Sequence, residues 1–212
     1  MDSLVTDPRL VTAVATVCSF LVGSLSFAVI VSRLFGLSDP RTYGSGNPGA
    51  TNVLRSGHKG AAILTLLLDA LKGYVPVAIA QHWGLDQIAV TLVGLAAFLG
   101  HVWPIFFRFE GGKGVATAAG VLLGFQPAVG GLVLAAWLLM AVVFRYSSLA
   151  ALTASLAAPI IQWQLMGAGA MTIGVAIMSA LLIWRHAANI RKLLAGQESK
   201  LGQKAAATLQ QP

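Results

Sequence analysis

Three polar stretches interrupt an otherwise apolar chain, and each sets glycines or small hydroxyls beside a basic group. The first reads Gly44–Ser45–Gly46–Asn47–Pro48–Gly49–Ala50–Thr51–Asn52–Val53–Leu54–Arg55. Gly44, Gly46 and Gly49 allow sharp turns and close approach of the backbone to a ligand. Ser45, Asn47, Thr51 and Asn52 are short hydrogen-bonding side chains, and Arg55 adds a planar fork suited to phosphate or carboxylate. Backbone amides, hydroxyls and one guanidinium together form a cradle for a phosphorylated small molecule. A surface turn between two helices would use the same residue types.

The second stretch reads Gly100–His101–Val102–Trp103–Pro104, then Gly111–Gly112–Lys113–Gly114–Val115–Ala116–Thr117. Lys113 inside a glycine turn that opens into an apolar run joins a positive charge to the free amides of a helix N-terminus, which is anion chemistry. The spacing is not that of a Walker A loop, and a snorkelling lysine at a helix entry is the plainer alternative. The third stretch reads Arg185–His186–Ala187–Ala188–Asn189–Ile190 and continues to Lys200. A juxtamembrane basic tail would explain Arg191 and Lys192, but not His186 and Asn189, which share a face if the helix continues.

The elements that carry these stretches are membrane helices. Of 212 residues, 57% are hydrophobic and only 10% charged, and mean hydropathy is +0.78; soluble domains have roughly 25% charged residues. The net charge of +7 is scattered among apolar spans, so it points to membrane topology and anionic substrates or lipids rather than nucleic acid. The single cysteine, Cys18, excludes an internal disulfide and a cysteine metal site. The acidic residues are mostly isolated and form no ligand cluster, so neither a metal nor another cofactor is expected.

Hydropathy places spans near Leu10–Val31, Gly60–Ala80, Gln87–Phe107, Val115–Phe125, Pro127–Phe144, Ser148–Leu165 and Ala168–Trp184. The fourth is short for a crossing of about 20 residues. Among the connectors, lysine and arginine fall only in the first, third and fifth, and more follow in the tail. That pattern predicts seven crossings, with the N-terminus outside and all three polar stretches on the cytoplasmic side. The fold class is therefore an all-α integral membrane protein. It comprises a single helical domain over residues 1–200 and a flexible cytoplasmic tail over 201–212. Asp69 and Lys72, three apart in the second span, are placed to form a structural ion pair.

The three stretches, in this order, resemble the signature regions of the bacterial acyl-phosphate:glycerol-3-phosphate acyltransferases over nearly the whole chain. The sequence departs from them at Ala187–Ala188, where the family commonly has Arg-Glu. The resemblance implies a seven-helix enzyme of the bacterial inner membrane that moves a fatty acyl group from acyl phosphate to the 1-hydroxyl of glycerol 3-phosphate. Lysophosphatidic acid and phosphate are the implied products, and membrane lipids the surroundings. It also implies roles by position. Ser45, Arg55, Lys113, His186 and Asn189 would hold glycerol 3-phosphate. The backbone over Gly44–Gly49, with Asn47, Thr51 and Asn52, would cradle the acyl phosphate, while Gly112 and Gly114 flank the lysine. Lys113, Arg55 and His186 are the candidate catalytic groups. Because an acyl phosphate is already activated, and no Gly-x-Ser-x-Gly elbow is present, direct displacement aided by charge neutralisation is expected. A transporter of an organic phosphate and a lipid-binding scaffold remain alternatives. The chain shows no internal repeat of the transporter kind, and a scaffold has no use for the glycine loops.

Overall fold

The computed structural model describes residues 7–203, which form ten α-helices and no strand among the described residues. Helix α1 (Pro8–Gly23) starts on an Asp7 carboxylate that accepts from the Arg9 amide at 2.8 Å, with proline at the first helical position. Helix α2 (Phe27–Leu34) continues the same apolar run but is bent 43° from α1. The expected continuous first span is thus broken. Ser24 turns its hydroxyl back onto the Phe20 carbonyl at 2.8 Å, and Ser26 caps the new helix, so the carbonyl of Leu25 has no place in either helical ladder.

The remaining elements are α3 (Ala50–Leu54), α4 (Lys59–His82), α5 (Gln87–Val102), α6 (Val115–Phe125), α7 (Pro127–Phe144), α8 (Ser147–Met166), α9 (Ala170–Arg185) and α10 (Ala187–Leu194). Four segments, Lys59–His82, Gln87–Phe107, Pro127–Phe144 and Ser147–Met166, are long and apolar enough to cross a bilayer. The bent pairs α1–α2 and α9–α10 raise the number to six, and α6 is a shorter apolar helix. Val142 (75% exposed), Leu139, Ile160 and Ile173 turn outward from the bundle, an apolar surface that water would not tolerate. The chain is a multi-pass membrane protein.

Inside, Phe98, Val102, Val121, Val129 and Met178 belong to one core shared by α5, α6, α7 and α9. The tightest seam is α4 against α6. A side chain at Gly73 would strike the Thr117 carbonyl, and one at Gly120 the Ala70 carbonyl. Small residues let the two backbones touch, which is how helices associate where lipid offers no hydrophobic contrast. Up-and-down succession places the connectors after α2, α5 and α7 and the segment after α9 at one end of the bundle. The opposite-end connectors 83–86, 126 and 167–169 carry no lysine or arginine.

Candidate active site

The polar end of the bundle opens into a cavity of about 580 Å³ that continues between the helices. Ser45, Asn47, Gly49, Thr51, Asn52, Arg55, Lys113, His186 and Asn189 all line it. The three polar stretches therefore meet in one place. Below them the walls become apolar, with Leu122 of α6, Val133 and Trp137 of α7, Ala154 and Ala158 of α8, and Val175 and Met178 of α9. Lining positions on α8 run from Ser147 to Ala158 and on α9 from Val175 to Leu182. Eleven residues of helix correspond to roughly 16 Å of depth.

The first loop is built on Asn52, which is 1% exposed. Its amide nitrogen donates to the carbonyls of Pro40 (2.6 Å) and Tyr43 (3.1 Å), and its Oδ1 accepts from the Ser45 amide at 3.0 Å. The side chain expected to cradle a ligand is thus committed to shaping the loop. Gly44 and Gly46 take positive φ values of 60° and 67° and lie behind the cavity wall. Arg55 extends from the end of α3, donating to Asn52 Oδ1 at 3.4 Å and to the Ser199 hydroxyl. Thr51 shares a hydroxyl–hydroxyl hydrogen bond of 3.1 Å with Ser147.

In the second loop Gly114, at φ 87°, turns the chain into α6 against the Phe98 ring. Gly111 offers its carbonyl to an Arg185 guanidinium nitrogen at 2.9 Å. Gly112 donates its amide to the His101 carbonyl at 3.2 Å. Gly112 and Gly114 also lie behind the lining, and Lys113 is carried forward between them. Its ammonium donates to Asn189 Oδ1. Burial holds the Lys113 pKa down at about 8, against the opposing pull of the Glu198 carboxylate and with the help of the Arg55, Arg185 and Lys192 charges.

The third stretch does not continue as a straight helix. The chain bends 57° between α9 and α10, with His186 at the junction. His186 and Asn189 still line the same cavity because the bend folds α10 over its mouth. His186 Nδ1 lies 2.8 Å from the Leu182 carbonyl. That contact makes Nδ1 the donor and leaves Nε2 as an acceptor. Burial and the neighbouring Lys113 charge push its pKa down to about 4, so the ring is neutral at pH 7.

Several site groups were given no role by sequence reasoning. Glu198 accepts from the Ser148 hydroxyl at 2.6 Å and from the Asn189 amide at 2.7 Å. It thereby turns Asn189 Oδ1 toward Lys113. Ser147, Ser148, Lys59 and Ser199 also line the cavity. The signal for Glu198 was a carboxylate inside the third motif of a strongly basic chain; for the serines it was a hydroxyl pair at a helix entry on the basic side. The Leu201 amide donates to the Arg145 carbonyl at 2.6 Å, so the start of the expected tail lies against the bundle. Residues 204–212 of that tail lie outside the described residues.

A family model described as Glycerol-3-phosphate acyltransferase matches residues 13–196. The chain belongs to that family. Among relatives bearing the family name, the protein of Paraburkholderia phytofirmans is 56% identical over 195 residues, covering 90% of this chain and 91% of its own. That of Burkholderia thailandensis is 58% identical over 193 residues, covering 90% and 96%. Two solved structures are similar throughout. The glycerol 3-phosphate form of PlsY (YgiH), an integral membrane glycerol 3-phosphate acyltransferase, aligns at TM-score 0.86 with 39% identity, covering 90% of this chain and 96% of that one. Its lysophosphatidic acid form aligns at TM-score 0.83 with 38% identity, covering 89% and 94%. The family resemblance carried by the three motifs thus extends to the whole helical arrangement.

Proposed function

We propose that this protein transfers a fatty acyl group from acyl phosphate to the 1-hydroxyl of glycerol 3-phosphate, releasing lysophosphatidic acid and inorganic phosphate. The observation that carries this reading is a single cavity with a cationic mouth and an apolar interior. Arg55 and Lys113 stand at one end, while Leu122, Val133 and Ala158 line the other. That polarity matches one anionic soluble substrate and one anionic substrate with a fatty chain. The same assignments are borne by relatives named for glycerol-3-phosphate acylation and by solved structures in glycerol 3-phosphate and lysophosphatidic acid forms.

In this reading Arg55, Lys113, Ser45 and Asn189 bind the phosphate groups, and the loop over Gly44–Gly49 with Thr51 closes around the donor. The C–O bond of the ester forms as the acyl C–O bond to phosphate breaks, and phosphate leaves with the bonding pair. Lys113 and Arg55 neutralise the charge that develops on it. The proton of the glycerol hydroxyl goes to His186 Nε2 or to a phosphate oxygen. A ring held near pKa 4 is a weak base, which favours the phosphate. No cofactor takes part.

The topology follows from counting the bent pair α1–α2 as one crossing, α9 as another and α6 as a short one, with α10 beyond the span at the cavity mouth. That gives seven crossings of a bacterial inner membrane, an outside N-terminus and a cavity that faces the cytoplasm. The region 1–200 acts as one domain, and membrane lipid surrounds it. The purified protein is tested with glycerol 3-phosphate and acyl phosphate, then with acyl-CoA or acyl carrier protein thioesters, following phosphate and lysophosphatidic acid. Turnover with acyl phosphate, lost in Lys113→Ala, is the expected outcome. Turnover only with thioesters overturns the donor assignment. Movement of glycerol 3-phosphate into vesicles without acylation overturns the enzyme in favour of a transporter.

A further inference from the structure

Three ionisable side chains with no place in this chemistry are buried beside the site. Asp69 is 2%, Lys72 3% and His101 7% exposed. Lys72 Nζ lies 2.8 Å from Asp69 Oδ1 and donates at 2.7 Å to the Leu25 carbonyl, the group stranded by the break between α1 and α2. The ammonium also faces the Phe27 ring at 5.6 Å. The same carboxylate oxygen lies 3.6 Å from His101 Nδ1, and Asp69 and His101 both line the cavity. From His101 the chain of contacts leads to the catalytic loop. Its carbonyl receives the Gly112 amide, and its ring edge at Nε2 lies so close to Gly112 that a methyl group there would collide. The same methyl group would come within 3.0 Å of the Pro48 carbonyl of the first loop. Gly112 therefore packs against both the imidazole and the first loop, one residue before Lys113.

A helix-packing ion pair needs only Asp69 and Lys72, and replacing such a pair by apolar residues is often neutral for stability. Here the pair is extended by an imidazole that touches the one turn on which the site lysine rides. We propose that His101, held by the Asp69–Lys72 pair, is a positioning residue that sets Lys113 through Gly112. This inference rests on the assignment of Lys113 to the acyl-transfer site. The break in the first span becomes the anchor of that arrangement, because the stranded Leu25 carbonyl fixes Lys72.

The test is a double-mutant cycle in acyl-phosphate-dependent turnover, with detergent-solubilised unfolding midpoints for every variant. His101→Leu is expected to lose about tenfold in turnover, and His101→Gln, whose amide reaches the Nε2 position, to recover most of it at an equal midpoint. In a Lys113→Arg background the same His101→Leu change is expected to cost less than about twofold. Equal losses in both backgrounds, or no loss in the first, overturn the proposal. The Asp69→Leu/Lys72→Met double variant is the second probe. It is expected to lose turnover at temperatures well below its midpoint, which the unpaired Leu25 carbonyl lowers, and full activity there overturns the role of the pair. If Lys113→Ala leaves turnover intact, the site assignment fails instead, which separates the two conclusions.

Discussion

Lys113 Nζ and Asn189 Oδ1 are hydrogen-bonded although 76 positions separate them in the chain. The amide is oriented for this by Glu198, which takes the Asn189 Nδ2 proton at 2.7 Å. One lysine is thus held by a helix entry, a juxtamembrane turn and a returning carboxylate.

The Lys113 ammonium, with its pKa near 8, sets an alkaline limit on activity. The lowered value means the cation is the main form at pH 7 and is lost as pH rises through 8. Turnover is expected to fall over that interval, and the fall to be absent in Lys113→Arg, whose guanidinium stays charged. A pH–rate profile of both proteins checks this.

Glu198 raises the Lys113 pKa by its charge. Glu198→Gln removes that charge while keeping an acceptor for the Ser148 hydroxyl. The same Oε1 still accepts from Asn189, so the alkaline limb is expected to move to lower pH and turnover at pH 7 to fall as Lys113 gives up part of its charge. A limb at unchanged pH would show that Glu198 only ties down the chain.

His186 is already neutral above its pKa of about 4. No acid limb from this group is therefore expected between pH 6 and 7 in kcat/KM, which reports the free enzyme. His186→Gln is expected to keep substantial turnover, with its loss chiefly in glycerol 3-phosphate affinity. Loss of turnover at saturating substrate would restore the imidazole as base.

Asn52 makes its contribution through loop shape. Asn52→Ala leaves the Pro40 carbonyl and the Ser45 amide without their buried partner, at a cost of about 1–3 kcal/mol. Both a lower unfolding midpoint and weaker glycerol 3-phosphate binding are expected, read by thermal unfolding and calorimetry. Thr51→Ala, by contrast, is expected to change binding without changing the midpoint, because Thr51 is exposed.

The site was legible in the sequence wherever one segment carried the whole signal. Gly44–Arg55 and Gly111–Lys113 announce anion binding through residue type and spacing, and the structure sets both on one cavity. Glu198 escaped because its meaning lies in distant partners, Ser148 and Asn189. The loop-shaping bonds of Asn52 to Pro40, Tyr43 and Ser45 were hidden for the same reason: residue type says that an amide is present, and only packing says what it bonds. The break in the first span was hidden because Ser24 and Ser26 are tolerated within helices, and the Lys72 side chain that receives the stranded carbonyl arrives from α4.

The sequence by itself determined that this chain enters a membrane, which stretches are apolar enough to lie in it and which motifs carry residues suited to anion chemistry. Those properties follow from local hydropathy and local residue chemistry, which are written along a single segment. The tertiary structure alone decided that three loops share one cavity, that Glu198 aims Asn189, and that Asp69, Lys72 and His101 stand behind the lysine turn. Those are relations across helices, set by how close small residues such as Gly73 and Gly120 allow the backbones to come.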